Sequence, residues 1–170
     1  MTKIDNFFES IKDKKVAFCG LGISNFPVME MFVNKGIDVT ACDRRNFEDL
    51  GDNAKKAEEL GVKLSLGDNY LKNLDVDIVF RTPGMKYYMD ELVEMRSRGV
   101  VVTSEMELFF ELADCHIIAV TGSDGKTTTT SLIYYILKSA GYNVGLAGNI
   151  GRSLALQVAE ENHEYYVIEL

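Results

Sequence analysis

Two glycines, a lysine and two threonines stand close together at Gly122, Gly125, Lys126, Thr127 and Thr128, with Ser123 and Asp124 between the glycines. Glycine lets a backbone approach a bulky anion closely. A lysine at this spacing neutralises terminal phosphates, and the hydroxyl after it can ligate Mg²⁺. The chemistry implied is the binding of a nucleotide's phosphates, with loop N–H groups and a helix dipole aimed at one spot. The common pattern G-x-x-x-x-G-K-[ST] calls for glycine where Val120 stands. The loop here is the shorter T-G-x-x-G-K-T-T of residues 121–128. The plain alternative is a solvated glycine turn carrying a surface lysine.

Such a loop works only between a strand and a helix. The apolar, β-branched run Ile117 to Thr121 reads as a buried strand. A helix is predicted over 126–140, with Leu132, Ile133, Ile136 and Leu137 as its buried stripe and Gly141 as its stop. Beyond it the pattern predicts a strand over 143–146, running into Ala147-Gly148-Asn149-Ile150-Gly151. A helix over 153–161 follows, then a strand over 165–168 that stops at Glu169-Leu170.

A second glycine turn lies near the start. A helix is expected over 4–12 and a strand over Lys15 to Cys19. The strand runs directly into Gly20-Leu21-Gly22-Ile23-Ser24-Asn25. A helix over 24–35 and a strand over 37–42, ending at Asp43, complete a βαβ opening with an acid about 20 residues past the glycines. Asn25 occupies the position of the third glycine in that fingerprint. This counts against a dinucleotide and leaves room for a single ribose or uracil. Residues 46–53 read as a polar loop, 54–60 as a helix, 62–66 and 77–80 as strands. Thr82-Pro83-Gly84 then forms a turn at a strand's carboxyl end, where open α/β sheets bind ligands. A helix over 90–98, a strand over 100–103 and a helix over 105–112 follow, the last opened by a Ser104/Glu107 capping box. Repeated βα alternation makes a parallel sheet covered by helices. The fold class expected is α/β: a Rossmann-like domain over 1–103, then the first part of a phosphate-loop domain over 104–170.

Composition narrows the function. The 170 residues carry a net charge of −8, which argues against nucleic acid as the main partner, because that partner needs a basic surface. No apolar run approaches the ~20 residues of a membrane helix. The three cysteines, Cys19, Cys42 and Cys115, form no C-x-x-C pair and read as reduced core thiols of a cytosolic protein. His116 and His163 share no ligand spacing, and His116 reads as a core or sheet-edge residue. The chain stops two residues after a buried-type strand, and its second unit has only three strands. It is therefore read as a fragment, with the strand at 165–168 short of neighbours.

These residues resemble the Mur ligase family, the ATP-dependent amide-forming enzymes of peptidoglycan synthesis. The resemblance rests on Gly20-Leu-Gly-Ile-Ser, Asp43, Thr82-Pro-Gly, Ser104-Glu-Met-Glu-Leu, T-G-S-D-G-K-T-T, Gly148-Asn-Ile-Gly and the closing Val-Ile-Glu-Leu. It runs from about Lys14 to the end and accounts for the short loop. Within the family the chain is most similar to the branch that joins D-glutamate to UDP-N-acetylmuramoyl-L-alanine. The resemblance implies a UDP site at Ile23, Ser24, Asp43, Arg44 and Gly84, with Asn149 touching the sugar-peptide. It implies ATP at Gly122, Ser123, Asp124, Gly125, Lys126, Thr127 and Thr128, with Lys126 on the phosphates. Mg²⁺ is implied at Thr127 and Glu169, Glu169 counting with Lys126 among the catalytic groups. It also implies a cytoplasmic, monomeric parent enzyme that serves cell-wall synthesis, of which the fragment alone is inactive. Asn25, Thr82 and Asp124 depart from the family's usual glycine, serine and asparagine.

The residues leave three rivals. One is a Mur-type ligase adding a different amino acid. Another is an NAD-dependent oxidoreductase built on Gly20, Gly22 and Asp43, which leaves the second loop unexplained. The third is a nucleotide-binding module without catalysis.

Overall fold

The computed structural model describes residues 2–22, 25–148 and 161–170. It divides into two compact units, Met1–Leu108 and Phe109–Leu170. The first contains α1 (Lys3–Ile11), β1 (Lys15–Cys19), α2 (Phe26–Asn34), β2 (Asp38–Asp43), α3 (Phe47–Leu50), α4 (Asp52–Glu59), β3 (Lys63–Leu66), β4 (Ile78–Phe80), α5 (Asp90–Ser97) and β5 (Val101–Thr103). The division falls within α6 (Glu105–Leu112). β6 (His116–Val120), α7 (Lys126–Ser139), β7 (Val144–Gly148) and β8 (Tyr165–Glu169) lie in the second unit.

The first unit is built on a parallel five-stranded sheet, β3-β2-β1-β4-β5. β1 lies at its centre, with Cys19 opposite Cys42 and Phe18 opposite Phe80. The alternation of β1 sends its side chains to two separate cores. On one face Phe18 stacks on Phe80 at 4.7 Å, and Phe32 of α2 meets Phe8, Phe18 and Phe80 edge-on. On the other, Ala17, Cys19, Cys42 and Val79 pack against Leu92 and Met95 of α5. Burying aromatic rings in offset and edge-on contacts adds about 0.5–1.5 kcal/mol per pair beyond area burial, which ties β1 to α2 and β4. The polar loop expected over 46–53 contains α3. Leu50 is buried there, and Glu48 and Asp49 occupy its first turn, where the helix dipole favours acids.

The second unit has a parallel three-stranded sheet, β6-β8-β7. This order reverses the expectation for the strand at 165–168. β8 has a neighbour on each side, and Tyr166, Val167 and Ile168 are buried. The run expected to be a buried strand, β6, is instead an edge strand among the described residues, and half exposed. His116 is exposed there, stacked on Tyr165 at 5.1 Å. The helix stripe also needs correction: Leu132 and Ile136 are each 58% exposed. α7 turns Thr130 fully inward and half-buries Ile133 and Leu137, because the neighbouring β strands meet only that narrower side. The helix expected over 153–161 lies almost wholly outside the described residues. Ser104 Oγ accepts from Glu107 N at 3.3 Å and donates to Glu107 Oε2 at 2.9 Å. The reciprocal contact of the capping box thus runs to the hydroxyl.

Candidate functional site

The first glycine turn leaves the carboxyl end of β1. Gly20 has φ 95°, and a Cβ there would lie 2.8 Å from Thr82 Cγ2. Only glycine meets both the left-handed backbone and this approach. The pleat thus brings the Gly20 turn and the Thr82-Pro83-Gly84 turn together at the strand ends. Asn25, in place of a glycine, donates through Nδ2 to Cys19 O and Gly20 O, both at 2.9 Å. Its amide satisfies carbonyls where the strand ladder stops. Asn53 Nδ2 donates to Leu21 O at 3.1 Å from α4.

Asp43 ends β2, and its side chain is almost completely enclosed. Its Oδ2 accepts from Leu21 N and from Arg45 Nη2, both at 2.9 Å; its Oδ1 accepts from Arg45 N at 2.9 Å and Arg45 Nε at 3.0 Å. Burial pushes this carboxyl up, but the hydrogen bonds from Arg45 and Leu21 outweigh it and hold Asp43 below the usual carboxylate range. Arg45 was not singled out in the sequence. The signal available was an aspartate followed two residues later by a cation, a spacing that suits a side chain closing on its own turn. Arg44 is exposed beside it. Gly84 is exposed in the loop after β4, while Ile23 and Ser24 lie outside the described residues. Cys19 and Cys42 are buried beneath this edge. The Cys42 thiol is pushed up by its hydrogen bond with Cys19 and by burial, as suits a core thiol rather than a nucleophile.

The second loop, in the other unit, joins β6 to α7. Thr121, Gly122, Ser123, Asp124 and Gly125 are all exposed. Gly125 is the helix N-cap at φ 71° and ψ 7°, and no side chain caps it. The first helical bond is Thr129 N to Gly125 O at 2.9 Å. The N–H groups of Lys126, Thr127 and Thr128 therefore emerge at a positive helix end without intrahelical acceptors. Lys126 Nζ donates to Gly122 O at 2.9 Å and folds over the loop. Thr127 and Thr128 are exposed, whereas Thr130 is buried and donates to Lys126 O at 2.8 Å.

Glu169 ends the central strand β8, in register with Val120 and Gly148, so it sits level with the start of the loop. It is 7% exposed, and its Oε2 is buried without a hydrogen-bond partner among the described residues. Gly148, at φ 101°, admits no side chain, since a Cβ there would lie 2.2 Å from Glu169 O. An orphaned carboxylate oxygen and the Thr127 hydroxyl are hard oxygen donors and fit Mg²⁺, which takes few protein ligands and keeps waters. Among the described residues no group of three or more His, Cys, Asp or Glu could hold a metal. None of their helices is long and apolar enough to cross a membrane. Asn149 lies outside the described residues.

Comparisons with known proteins bear on both loops. The Mur ligase middle domain family matches residues 120–170. The chain is 46% identical over 171 residues to UDP-N-acetylmuramoylalanine–D-glutamate ligase of Acetivibrio thermocellus, covering 99% of this chain and 37% of that protein. It is 42% identical to the Clostridium botulinum (strain Hall) protein of the same name, over 98% of this chain and again 37% of the relative. With the one from Ruminiclostridium cellulolyticum it shares 46% identity over 92% of this chain and 34% of the relative. The chain thus spans little more than a third of the length of these relatives. Among solved structures it is similar in fold to UDP-N-acetylmuramate:L-alanyl-gamma-D-glutamyl-meso-diaminopimelate ligase from Neisseria meningitides. That match has TM-score 0.51 and 23% identity, over 92% of this chain and 52% of the other.

Proposed function

We propose, from the premise that this chain belongs to the Mur ligase family, that it carries the uridine-nucleotide and ATP-phosphate sites of an ATP-dependent ligase that joins D-glutamate to UDP-N-acetylmuramoyl-L-alanine. The observation that carries the reading is the pair of glycine turns. Each stands at the carboxyl ends of its own parallel sheet, and each is built for a different part of the chemistry.

The Gly20 turn, with Ser24, Arg44 and Gly84, holds the uridine nucleotide, and Asp43 fixes the turn through Leu21 N. Asn149 meets the sugar-peptide. In the other unit, the open N–H groups of Gly122 to Thr128 and the Lys126 ammonium hold the ATP phosphates. Lys126 exchanges its bond to Gly122 O for the terminal phosphate. Thr127 and Glu169 would hold Mg²⁺, which would supply neutralisation of phosphate charge. The substrate carboxylate attacks the γ-phosphorus of ATP, the bond to the β,γ-bridging oxygen breaks, ADP leaves, and an acyl phosphate is formed. The amine of D-glutamate then attacks that carbonyl, and inorganic phosphate leaves. No protein nucleophile is required; fixed positive charge aimed at the transferring group does most of the work. A cytoplasmic site follows from the nucleotide substrates, as does a role in building the cell wall. Calorimetry with UDP, NADH and Mg-ATP tests the assignment: UDP binds, and NADH does not. Binding of NADH in preference to UDP would overturn it in favour of an oxidoreductase.

A further inference from the structure

Residues 82–89 leave β4 at the ligand edge and return into α5. Their own backbone bonds form two single turns, Met85 N to Thr82 O at 3.0 Å and Met89 N to Lys86 O at 3.2 Å. α5 starts after Met89 without a side-chain cap. Met85 and Met89 pack against the apolar core that includes Leu92 and Met95. The polar tie at the middle of the loop comes from the last turn of α5. Arg96 Nη2 donates to Tyr87 O at 2.7 Å, and the same guanidinium lies over the Tyr87 ring, 4.1 Å from its centroid. Arg81, next to Thr82, has its guanidinium 5.7 Å from the same centroid.

The arrangement is demanding. Arg96 Nη1 and Arg81 Nε are buried without hydrogen-bond partners among the described residues. A guanidinium held this way relies on the face of an aromatic ring, and buried orphaned donors in a native fold call for a reason. Here the reason is on the same loop, three residues before Tyr87.

We infer that the Arg96–Tyr87 clasp positions Gly84 for the uridine nucleotide, which makes Arg96 and Tyr87 positioning residues that act through Gly84. The inference rests on the nucleotide reading of this edge. The clasp uses the ring and the backbone carbonyl of Tyr87 and leaves its hydroxyl out. Phenylalanine therefore serves at 87 and alanine does not. Lysine at 96 keeps the charge but loses the plane that stacks.

The test is calorimetric titration of UDP into the 170-residue chain, with amide hydrogen exchange across 82–89 in the absence of ligand. Tyr87→Phe binds UDP within about twofold of the parent chain. Tyr87→Ala and Arg96→Ala weaken UDP about tenfold and speed exchange at Gly84 to Tyr88, with the thermal midpoint of the chain unchanged. Arg96→Lys falls between. Unaltered UDP affinity in Arg96→Ala and Tyr87→Ala would overturn the inference while leaving the nucleotide reading intact. If the parent chain binds no UDP, the nucleotide reading fails instead. Exchange then still decides whether the clasp holds the loop: equal exchange in Arg96→Ala and the parent chain would sink it.

Discussion

The two glycine turns are alike in topology and opposite in construction. Around Gly20 the chain is braced by side chains: Asn25 and Asn53 hold carbonyls, Asp43 holds Leu21 N, and the Thr82 methyl fills the space that a Cβ at position 20 would need. Around Gly122 to Gly125 the residues are exposed, and the only side-chain bond across the loop among the described residues is that of Lys126 to Gly122 O. A turn that receives a largely neutral ribose and base gains by being pre-built, because ordering it on binding would cost affinity. A loop that receives several negative charges gains from unsatisfied donors, since the anion itself supplies the missing partners. The difference teaches that the same strand–glycine–helix unit can be closed by side chains in one place and left open in another, as the proposed ribose and phosphate ligands would each require.

The largest effect that separates the two is expected from Lys126→Ala in a full-length ligase carrying this loop. ATP turnover should fall roughly a hundredfold to a thousandfold, the usual size for losing one charge-stabilising donor. Affinity for the UDP-substrate should stay close to that of the parent, because sites that share no partners contribute independently. Retention of most ATP turnover would remove the phosphate role from this loop.

Next comes Gly148→Ala. The new methyl meets the backbone of Glu169 in a left-handed conformation, and strain plus overpacking should cost about 3 kcal/mol. Urea unfolding followed by a probe in the second unit should show this loss, with the first unit unaffected. A shift smaller than about 0.5 kcal/mol would mean that β7 and β8 can part without penalty.

Asp43→Ala should then weaken the first unit by about 1.5–3 kcal/mol, the range for hydrogen bonds to a charged group, and reduce UDP affinity with it. The pH dependence has a definite sign. The folded carboxyl sits below its unfolded value of about 3.9, so its stabilisation is fully present above that value and is lost as pH falls through the folded one. Acid unfolding of Asp43→Asn should lack this contribution. An acid limb identical to that of the parent chain would show that Arg45 and Leu21 hold nothing that depends on the charge.

How much of this was legible in the sequence follows the range of the interactions. Strand, glycine turn, helix and the acid at Asp43 are local patterns, and they stand where the periodicity puts them. So do Lys126 and Thr127 at the start of α7. The Arg45 clamp is nearly local, yet nothing in periodicity distinguishes Arg45 from Arg44. Which side of α7 faces the sheet depends on strand order, and strand order is a long-range property. That is why Leu132 and Ile136 were expected inside, and why β8 was expected to be short of neighbours when it is the central strand. Glu169 was legible only through family resemblance. Its orphaned oxygen and its level with Val120 are properties of the folded sheet.

The smallest effect sharpens that last point. Leu132→Ala should change stability by less than about 0.5 kcal/mol, whereas Leu137→Ala, on the half-buried side of α7, should cost about 1–2 kcal/mol. Equal costs measured by thermal unfolding would restore the wider stripe that the sequence suggested.

The separateness of the two sites is tested most directly by amide chemical shifts of the 170-residue chain during titration, first with UDP and then with Mg-ATP. UDP should move the amides of Gly20 to Gly22, Asp43 to Arg45, Thr82 and Gly84, and leave 122–128 still. Mg-ATP should then move Gly122 to Thr128 and Glu169 without displacing UDP. If both ligands instead compete for the same amides, or if UDP moves the loop of 122–128 and spares the Gly20 turn, the two turns do not divide the chemistry as described.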